Sequence, residues 1–163
     1  MSAASFTDRA TTRPRGVALL GSTGSIGRQA LDVLDGDPAF RVVALAAGRN
    51  AALLEEQTAR HRPAAAVLDG DADALAELAT RDDVDMVVVG TGGMVSLGPV
   101  LAALRSGKVV ATANKETLVA GGHLVMPLAR ALAGIHAEVD PAHPLASPLG
   151  WLLLSGLRWA YLL

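Results

Sequence analysis

The sequence predicts an α/β fold built on a doubly wound, mostly parallel sheet of about five to six strands. Short runs rich in Val, Ala and Leu alternate along the chain with segments whose apolar residues recur at helical spacing. Near-continuous apolar runs are typical of parallel strands that are buried on both faces. A glycine-rich loop at residues 21–27 joins the first run to the first helical segment, as expected of a right-handed crossover. Together these observations indicate a Rossmann-like domain.

The composition excludes several classes of protein. Of the 163 residues, 51% are hydrophobic, which is enough for one domain with a sizeable core. The 14 basic and 16 acidic side chains give a net charge of −2, so neither nucleic acid nor an anionic membrane surface is an expected partner. The absence of cysteine excludes disulfides, thiolate metal sites and thiol catalysis. No stretch offers the ~20 apolar residues of a membrane span, so we expect a cytoplasmic protein.

Particular residues mark where several of the predicted strands and helices begin or end. The first apolar run stops at Gly21, and the first helical segment ends at the chain breaker in residues 35–38. Asn50 is a capping residue type, and Pro63 follows the helix that it opens. Gly107 is the expected C-cap residue of a later helix. The predicted strands are 16–20, 41–47, 64–68, 85–89 and 108–113, and the predicted helices are 25–34, 50–62, 71–79, 97–106 and 114–134.

The two ends of the chain differ from its middle. Residues 1–15 are polar and lack the apolar segment of a secretory signal, so we expect a disordered tail, with an organelle-targeting peptide as the alternative. The alternation of strand and helix signals spans residues 16–140. Residues 141–163 form an atypical apolar tail that contains Trp151, Trp159 and Tyr161. We expect this tail to be a core or interface segment. A membrane anchor and a tail translated in another reading frame are the alternatives.

The glycine-rich loop has the spacing of a dinucleotide-binding turn. Gly21, Gly24 and Gly27 form the pattern G-x-x-G-x-x-G between a predicted strand and a predicted helix. Glycines in this position allow a tight turn and a close approach of the backbone to a pyrophosphate, which the free N–H groups at the helix start can bind. A plain structural turn is the alternative. A Walker A loop is excluded because no Gly-Lys-Ser/Thr follows.

The end of the second strand indicates which nicotinamide coenzyme is bound. An NAD site has Asp or Glu at this point to bind the ribose hydroxyls, whereas this chain has Gly48, Arg49 and Asn50. The planar fork of Arg49 matches a 2′-phosphate, and Asn50 can add a hydrogen bond. This pattern favours NADP over NAD. The alternative is that Arg49 is solvated and Asn50 only caps a helix.

A second polar group follows the fifth predicted strand. Asn114, Lys115 and Glu116 lie between an apolar strand and an apolar helix. Ligands of open α/β sheets bind at the carboxyl ends of strands, so these residues are candidates for a site. The residues alone support equally an N-cap asparagine followed by two ordinary residues of the first helical turn.

These motifs together resemble the 1-deoxy-D-xylulose 5-phosphate reductoisomerase family. The resemblance rests on GSTGSIG (21–27), AGRN (47–50), GTGG (90–93) and ANKETLV (113–119), and it covers about residues 16–130. It implies NADPH as the coenzyme, with Lys115 in contact with the substrate and Asn114 and Glu116 on the nicotinamide side. The other coenzyme-binding residues that it implies are Gly21, Thr23, Gly24, Ser25 and Ile26 around the pyrophosphate and Gly48, Arg49 and Asn50 around the 2′-phosphate.

The resemblance also implies a reaction. The family converts 1-deoxy-D-xylulose 5-phosphate to 2-C-methyl-D-erythritol 4-phosphate in the non-mevalonate route of isoprenoid biosynthesis. The reaction is a rearrangement followed by hydride transfer from NADPH, and a Mn²⁺ or Mg²⁺ ion polarises the substrate oxygens. The implied assembly is a homodimer.

The sequence departs from the family pattern in three places. It is shorter than the family between Asp71 and Asp85. In place of an Asp-Ser-Glu-His metal-binding stretch it has Asp140 followed by Pro141, Ala142 and His143, so Asp140 is the one implied metal ligand. The catalytic and C-terminal domains have no counterpart after residue 163.

We therefore expect a fragment that binds NADPH without turnover. One alternative is another NADP-dependent oxidoreductase that shares only the first βαβ unit. The other is a non-catalytic, degenerate nucleotide-binding module.

Overall fold

The computed structural model describes residues 13–133, in which five parallel strands form one sheet covered by five helices. The order across the sheet is β3-β2-β1-β4-β5. The strands are β1 (Arg15–Leu20), β2 (Phe40–Ala47), β3 (Ala65–Leu68), β4 (Met86–Val89) and β5 (Val109–Thr112). The helices are α1 (Ser25–Asp35), α2 (Ala51–His61), α3 (Ala72–Thr80), α4 (Leu97–Arg105) and α5 (Lys115–Ala133). The predicted Rossmann-like, doubly wound sheet is confirmed. The apolar tail at 141–163 and Asp140 lie outside the described residues.

Two hydrophobic cores lie on the two faces of the sheet, because successive side chains of a strand point to opposite faces. In β1, Val17 and Leu19 belong to the core that includes residues of α1 and α2. Ala18 and Leu20 belong to the core that includes residues of α3, α4 and α5. All four side chains are completely buried, and burial of a Val or Leu side chain contributes about 1.5–3 kcal/mol. Helices therefore cover both faces, which explains the uninterrupted apolar runs in the sequence.

The elements begin and end close to the predicted residues, and the residues just before β4 and β5 make polar contacts with other segments. β4 begins at Met86 rather than Asp85, whose carboxylate accepts hydrogen bonds from the Gly16 N–H at 2.7 Å and from Arg13 at 3.0 Å. β5 begins at Val109 rather than Lys108. The Lys108 Nζ donates to the carbonyls of Arg81 and Val84 at 2.9 and 2.6 Å. Both side chains stabilise the amino edge of the sheet.

The turn between α3 and β4 is held by an ion pair. Arg81 donates two hydrogen bonds to the Asp83 carboxylate, at 2.8 and 2.9 Å. The hydrogen bond from Arg81 lowers the pKa of Asp83 below its usual value, although partial burial opposes the shift. The stability that this pair contributes is therefore present above the ordinary pKa of a carboxyl group and is lost as the pH falls below it. Both side chains are more than a third exposed, so the contribution is small.

α5 is the longest described helix and contains Pro127. It packs on α4 beside the β4–β5 half of the sheet. Val119 on its surface is 85% exposed. Within residues 13–133, no helix combines the length and the apolarity that crossing a bilayer requires.

Gly27 is a position where the fold itself demands a glycine. A Cβ atom there would overlap the carbonyl oxygen of Gly21 and would lie 2.6 Å from the Ser22 Cα. We expect Gly27→Ala to lower the free energy of unfolding by about 2 kcal/mol or more, since the backbone must move to relieve the overlap. Urea denaturation measures this change.

The matched control is Gly36→Ala at the end of α1. Gly36 has right-handed φ and ψ angles, and the nearest atom to an added Cβ is the Val33 oxygen at 3.5 Å. The control should change stability by no more than about 1 kcal/mol in either direction. Equal losses in the two variants would contradict the packing argument at Gly27.

Candidate functional site

The predicted motifs meet along one edge of the sheet. Because all described strands are parallel, the loops after β1, β2, β4 and β5 leave the sheet at the same, carboxyl edge. β1 pairs with β2 on one side and with β4 on the other, and the helices change faces at this point. Such a switch point opens a crevice between the loops that follow the two strands, and it is where ligands of this fold bind.

The loop after β1 is packed tightly against the loop after β4. Gly21 has a φ angle of +87°, and a Cβ atom there would lie 2.8 Å from the Gly90 carbonyl carbon and from the Thr91 nitrogen. Gly24 differs, because an added Cβ would make only ordinary contacts, at 3.4 Å to the Gly21 oxygen and 3.8 Å to the Gly90 oxygen. The fold therefore requires Gly21 and Gly27 but not Gly24, which leaves Gly24 as the glycine suited to close approach of a ligand.

The first turn of α1 offers unpaired hydrogen-bond donors. The first helical hydrogen bond runs from Arg28 to the Gly24 oxygen, at 3.0 Å. Within residues 13–133, the N–H groups of Ser25, Ile26 and Gly27 have no acceptor, and no side chain caps the helix. The first turn also contains no acidic residue. Free N–H groups and the positive end of the helix dipole make this turn a suitable site for an anion.

The turn after β2 lies beside this loop and contains no carboxylate. Gly48, Arg49 and Asn50 are all exposed. The Arg49 guanidinium has no partner in the part of the chain that the structure describes. An added Cβ at Gly48 would meet no atom within 4 Å, so the fold does not require this glycine either. The Asn50 Oδ1 accepts from the Leu53 N–H at 3.1 Å, so Asn50 does cap α2, and its amide nitrogen has no hydrogen-bond partner within residues 13–133.

Asn114 is the centre of a buried polar network that the sequence did not predict. Its amide nitrogen donates to the Gly93 carbonyl at 2.7 Å and to the Ser96 Oγ at 2.9 Å, and its oxygen accepts from the Thr117 N–H at 2.9 Å. The Ser96 and Thr117 hydroxyls are 3.0 Å apart. This network joins the loop after β4 to the start of α5. Asn114 is only 2% exposed, so the structure supports the capping interpretation. The contact of Asn114 with the nicotinamide side stays a prediction.

Lys115 and Glu116 follow directly, in the first turn of α5. Both are exposed, and neither has a hydrogen-bond or ion-pair partner among residues 13–133. The Asn114 network fixes the backbone that carries them. The two side chains are therefore free to meet a ligand at the carboxyl edge, as the resemblance implies.

Three buried polar atoms near this edge lack a partner in the described residues. They are the Ser22 Oγ, the Gln57 Oε1 and the Thr91 Oγ1. Ser22 and Thr91 belong to the two loops that line the crevice, and the Gln57 Nε2 donates to the Ser22 carbonyl at 3.0 Å. The sequence interpretation did not include Gln57. Its spacing of three residues from Leu54, the other buried residue of α2, was the available signal.

The metal site predicted at Asp140 falls outside the described residues. Among residues 13–133, no three His, Asp or Glu side chains are grouped closely enough to hold a metal ion. The described domain therefore supplies a candidate nucleotide site, and Asp140 stays a predicted ligand.

Comparison with known proteins identifies the family of this chain. The family model for 1-deoxy-D-xylulose 5-phosphate reductoisomerase matches residues 17–76 and 67–122. A reductoisomerase of this name from a Synechococcus species is 46% identical over 137 residues, which cover 70% of this chain and 34% of the relative. Another, from a second Synechococcus strain, is 38% identical over 174 residues, which cover 90% of this chain and 41% of the relative. The second alignment is longer than the 163-residue chain, so the relative has residues without a counterpart here.

The solved structures include the Zymomonas mobilis reductoisomerase in complex with NADPH. The superposition of the two structures has a TM-score of 0.59 at 34% sequence identity. It covers 74% of this chain and 37% of the Zymomonas chain. The chain thus spans well under half the length of these relatives. The family match covers the glycine-rich loop, the turn after β2 and the whole NKE-containing segment. It excludes the alternative that only the first βαβ unit is shared with another oxidoreductase. The chain belongs to the 1-deoxy-D-xylulose 5-phosphate reductoisomerase family.

Proposed function

We propose that the chain binds NADPH along the carboxyl edge of its sheet. The observation that carries this proposal is the group of unpaired N–H donors at the start of α1, in a loop that is closely packed on either side of Gly24. These donors suit the pyrophosphate, which lies at a helix N-terminus in dinucleotide-binding folds. Arg49 and Asn50 would bind the 2′-phosphate, and Lys115 and Glu116 would lie towards the nicotinamide and the substrate. The NADPH complex of the Zymomonas relative supports the choice of coenzyme.

We also propose that the domain contributes to the family reaction, the conversion of 1-deoxy-D-xylulose 5-phosphate to 2-C-methyl-D-erythritol 4-phosphate. NADPH supplies the hydride in such a reaction. The chain's own residues bind and orient: the loop amides hold the phosphates, and the Asn114 network keeps the first turn of α5 in place. Lys115 is proposed to contact the substrate. A Mn²⁺ or Mg²⁺ ion, a homodimer and a cytoplasmic location are the corresponding proposals for the whole protein.

The role of Arg49 predicts a change in coenzyme preference. Arg49→Ala should weaken NADPH binding about 10-fold to 100-fold, because a charge-assisted hydrogen bond contributes about 1.5–3 kcal/mol. Binding of NADH should stay unchanged, since NADH has no 2′-phosphate. Titration with each coenzyme, followed by nicotinamide fluorescence, measures both affinities.

Arg105→Ala is the matched control, because Arg105 is an exposed arginine at the end of α4. It should leave both affinities as they are. If the unmodified chain bound NADH as tightly as NADPH, Arg49 would have no role in recognition of the 2′-phosphate.

The role of Gly24 predicts a loss of binding without a loss of stability. Gly24 has extended backbone angles that alanine adopts, and its Cβ would make only ordinary contacts. The methyl group would occupy space that the pyrophosphate needs, so Gly24→Ala should weaken NADPH and NADH alike, by about tenfold or more. Fluorescence titration and urea denaturation measure the two effects.

Gly36→Ala, remote from the proposed phosphates at the other end of α1, is the control for Gly24→Ala. It should bind both coenzymes like the unmodified chain. Normal coenzyme binding by the Gly24→Ala variant would rule out a pyrophosphate at this loop.

The last proposal concerns turnover. The chain spans 34–41% of the length of the two Synechococcus relatives, and the activity belongs to those longer proteins. We therefore expect the 163-residue chain to bind NADPH without oxidising it when 1-deoxy-D-xylulose 5-phosphate and Mn²⁺ are present. Absorbance of NADPH at its characteristic near-ultraviolet band measures this. Substrate-dependent loss of that absorbance would contradict the proposal, and a binding titration on the same preparation shows that the protein is folded.

A further inference from the structure

Gln57 is a polar side chain in a position that packing alone does not explain. It is 7% exposed and, with Leu54, forms the buried face of α2. Its Nε2 donates to the Ser22 carbonyl at 3.0 Å, while its Oε1 is buried without a partner in the described residues. A buried, unpaired carbonyl oxygen is unfavourable for stability. The hydrogen bond from its amide nitrogen to the Ser22 carbonyl therefore explains the burial of this side chain better than a contribution to the core does.

The carbonyl that Gln57 holds belongs to the loop after β1. The N–H groups of Gly21 and Ser22 both donate to the Ala46 carbonyl, each at 2.8 Å. β2 therefore fixes the start of this loop by accepting hydrogen bonds from the loop's N–H groups. α2 fixes the next peptide by donating a hydrogen bond to that peptide's oxygen. Gln57 is the only side chain in the described part of the chain that is seen to bind this carbonyl.

The Ser22 carbonyl and the Thr23 N–H belong to one peptide unit. A peptide unit is planar, and in its trans form the C=O and N–H groups point in opposite directions. None of the described peptide bonds is cis. With the Ser22 oxygen held by Gln57, the Thr23 N–H points away from α2, and it has no acceptor among residues 13–133.

We infer that Gln57 is a positioning residue that orients the Thr23 N–H for the coenzyme pyrophosphate. The inference rests on the proposed NADPH function. Gln57 acts through the backbone of the loop rather than through its own contact with the coenzyme. Pyrophosphate is common to NADPH and NADH, so Gln57 acts on both coenzymes equally, whereas Arg49 distinguishes between them.

The test replaces Gln57 with methionine, which keeps the unbranched length and removes the donor. Gln57→Met should raise the dissociation constants of NADPH and NADH by the same factor, about tenfold, and leave their ratio unchanged. Its thermal midpoint should stay within about 4 °C of the unmodified chain, because the variant also removes the unpaired Oε1. Gln57→Leu, which also lacks the donor, should show the same equal loss.

Gln29→Met on α1 is the matched control, since Gln29 is exposed and lines the same groove between α1 and α2 as Gln57. It should leave both affinities and the thermal midpoint unchanged. A purely structural role for Gln57 predicts the opposite pattern, with a lower midpoint and normal affinity for the folded fraction.

The outcomes separate this inference from the function on which it rests. If the unmodified chain binds coenzyme and Gln57→Met binds it equally well, only the inference is overturned. A change in the NADPH-to-NADH ratio, or failure of both Gln57 variants to fold, also overturns it. If the unmodified chain binds neither coenzyme, the proposed function fails with it.

Discussion

The Ala46 carbonyl accepts hydrogen bonds from two successive amides, those of Gly21 and Ser22, and the geometry of the site depends on this shared acceptor. The two hydrogen bonds to this carbonyl turn the chain sharply at the end of β1 and bring the loop after β1 against β2. The loop then passes so close to Gly90 and Thr91 that the chain tolerates only a glycine at position 21. α1 consequently starts at the switch point of the sheet, and the amides of its first turn have no acceptor among the described residues. The position of these amides is thus determined by backbone contacts between neighbouring strands.

Elements that follow from local sequence could be predicted well. The central strands are buried on both faces, so their apolar runs leave little choice of structure, and Asn50 and Asp71 cap their helices through ordinary side-chain hydrogen bonds. Less could be predicted where a contact joins residues distant in the sequence. Asp85 and Lys108, next to the starts of β4 and β5, each bind backbone groups of another segment through their side chains. No periodicity in a single segment carries that information.

In the candidate site, too, the features set by local sequence could be predicted and the contacts between distant residues could not. The glycine-rich loop and the turn after β2 could be placed at one edge because parallel strands must end there. The network of Asn114, Ser96 and Thr117 could not, since it depends on how α5 packs beside the loop after β4. Gln57 was also missed, although its helical spacing from Leu54 marks the buried side of α2. A polar residue on a buried helical face is the signal that would have found it, because such a residue must hydrogen-bond to something.

The segment between Asp71 and Asp85, where the shortening is predicted, runs from the carboxyl edge of the sheet, where α3 begins, to the amino edge, where β4 begins. α3 ends at Thr80 and β4 begins at Met86, so their connection lies at the amino edge of the sheet, opposite the glycine-rich loop. The Arg81–Asp83 pair and the Lys108 ammonium hold this connection, and Asp85 ties it to β1. The five described strands form one continuous parallel sheet with the connection as it stands. The loops after β1 and β4 are held by their own contacts at the carboxyl edge, so the geometry proposed for the coenzyme does not depend on the connection at the amino edge.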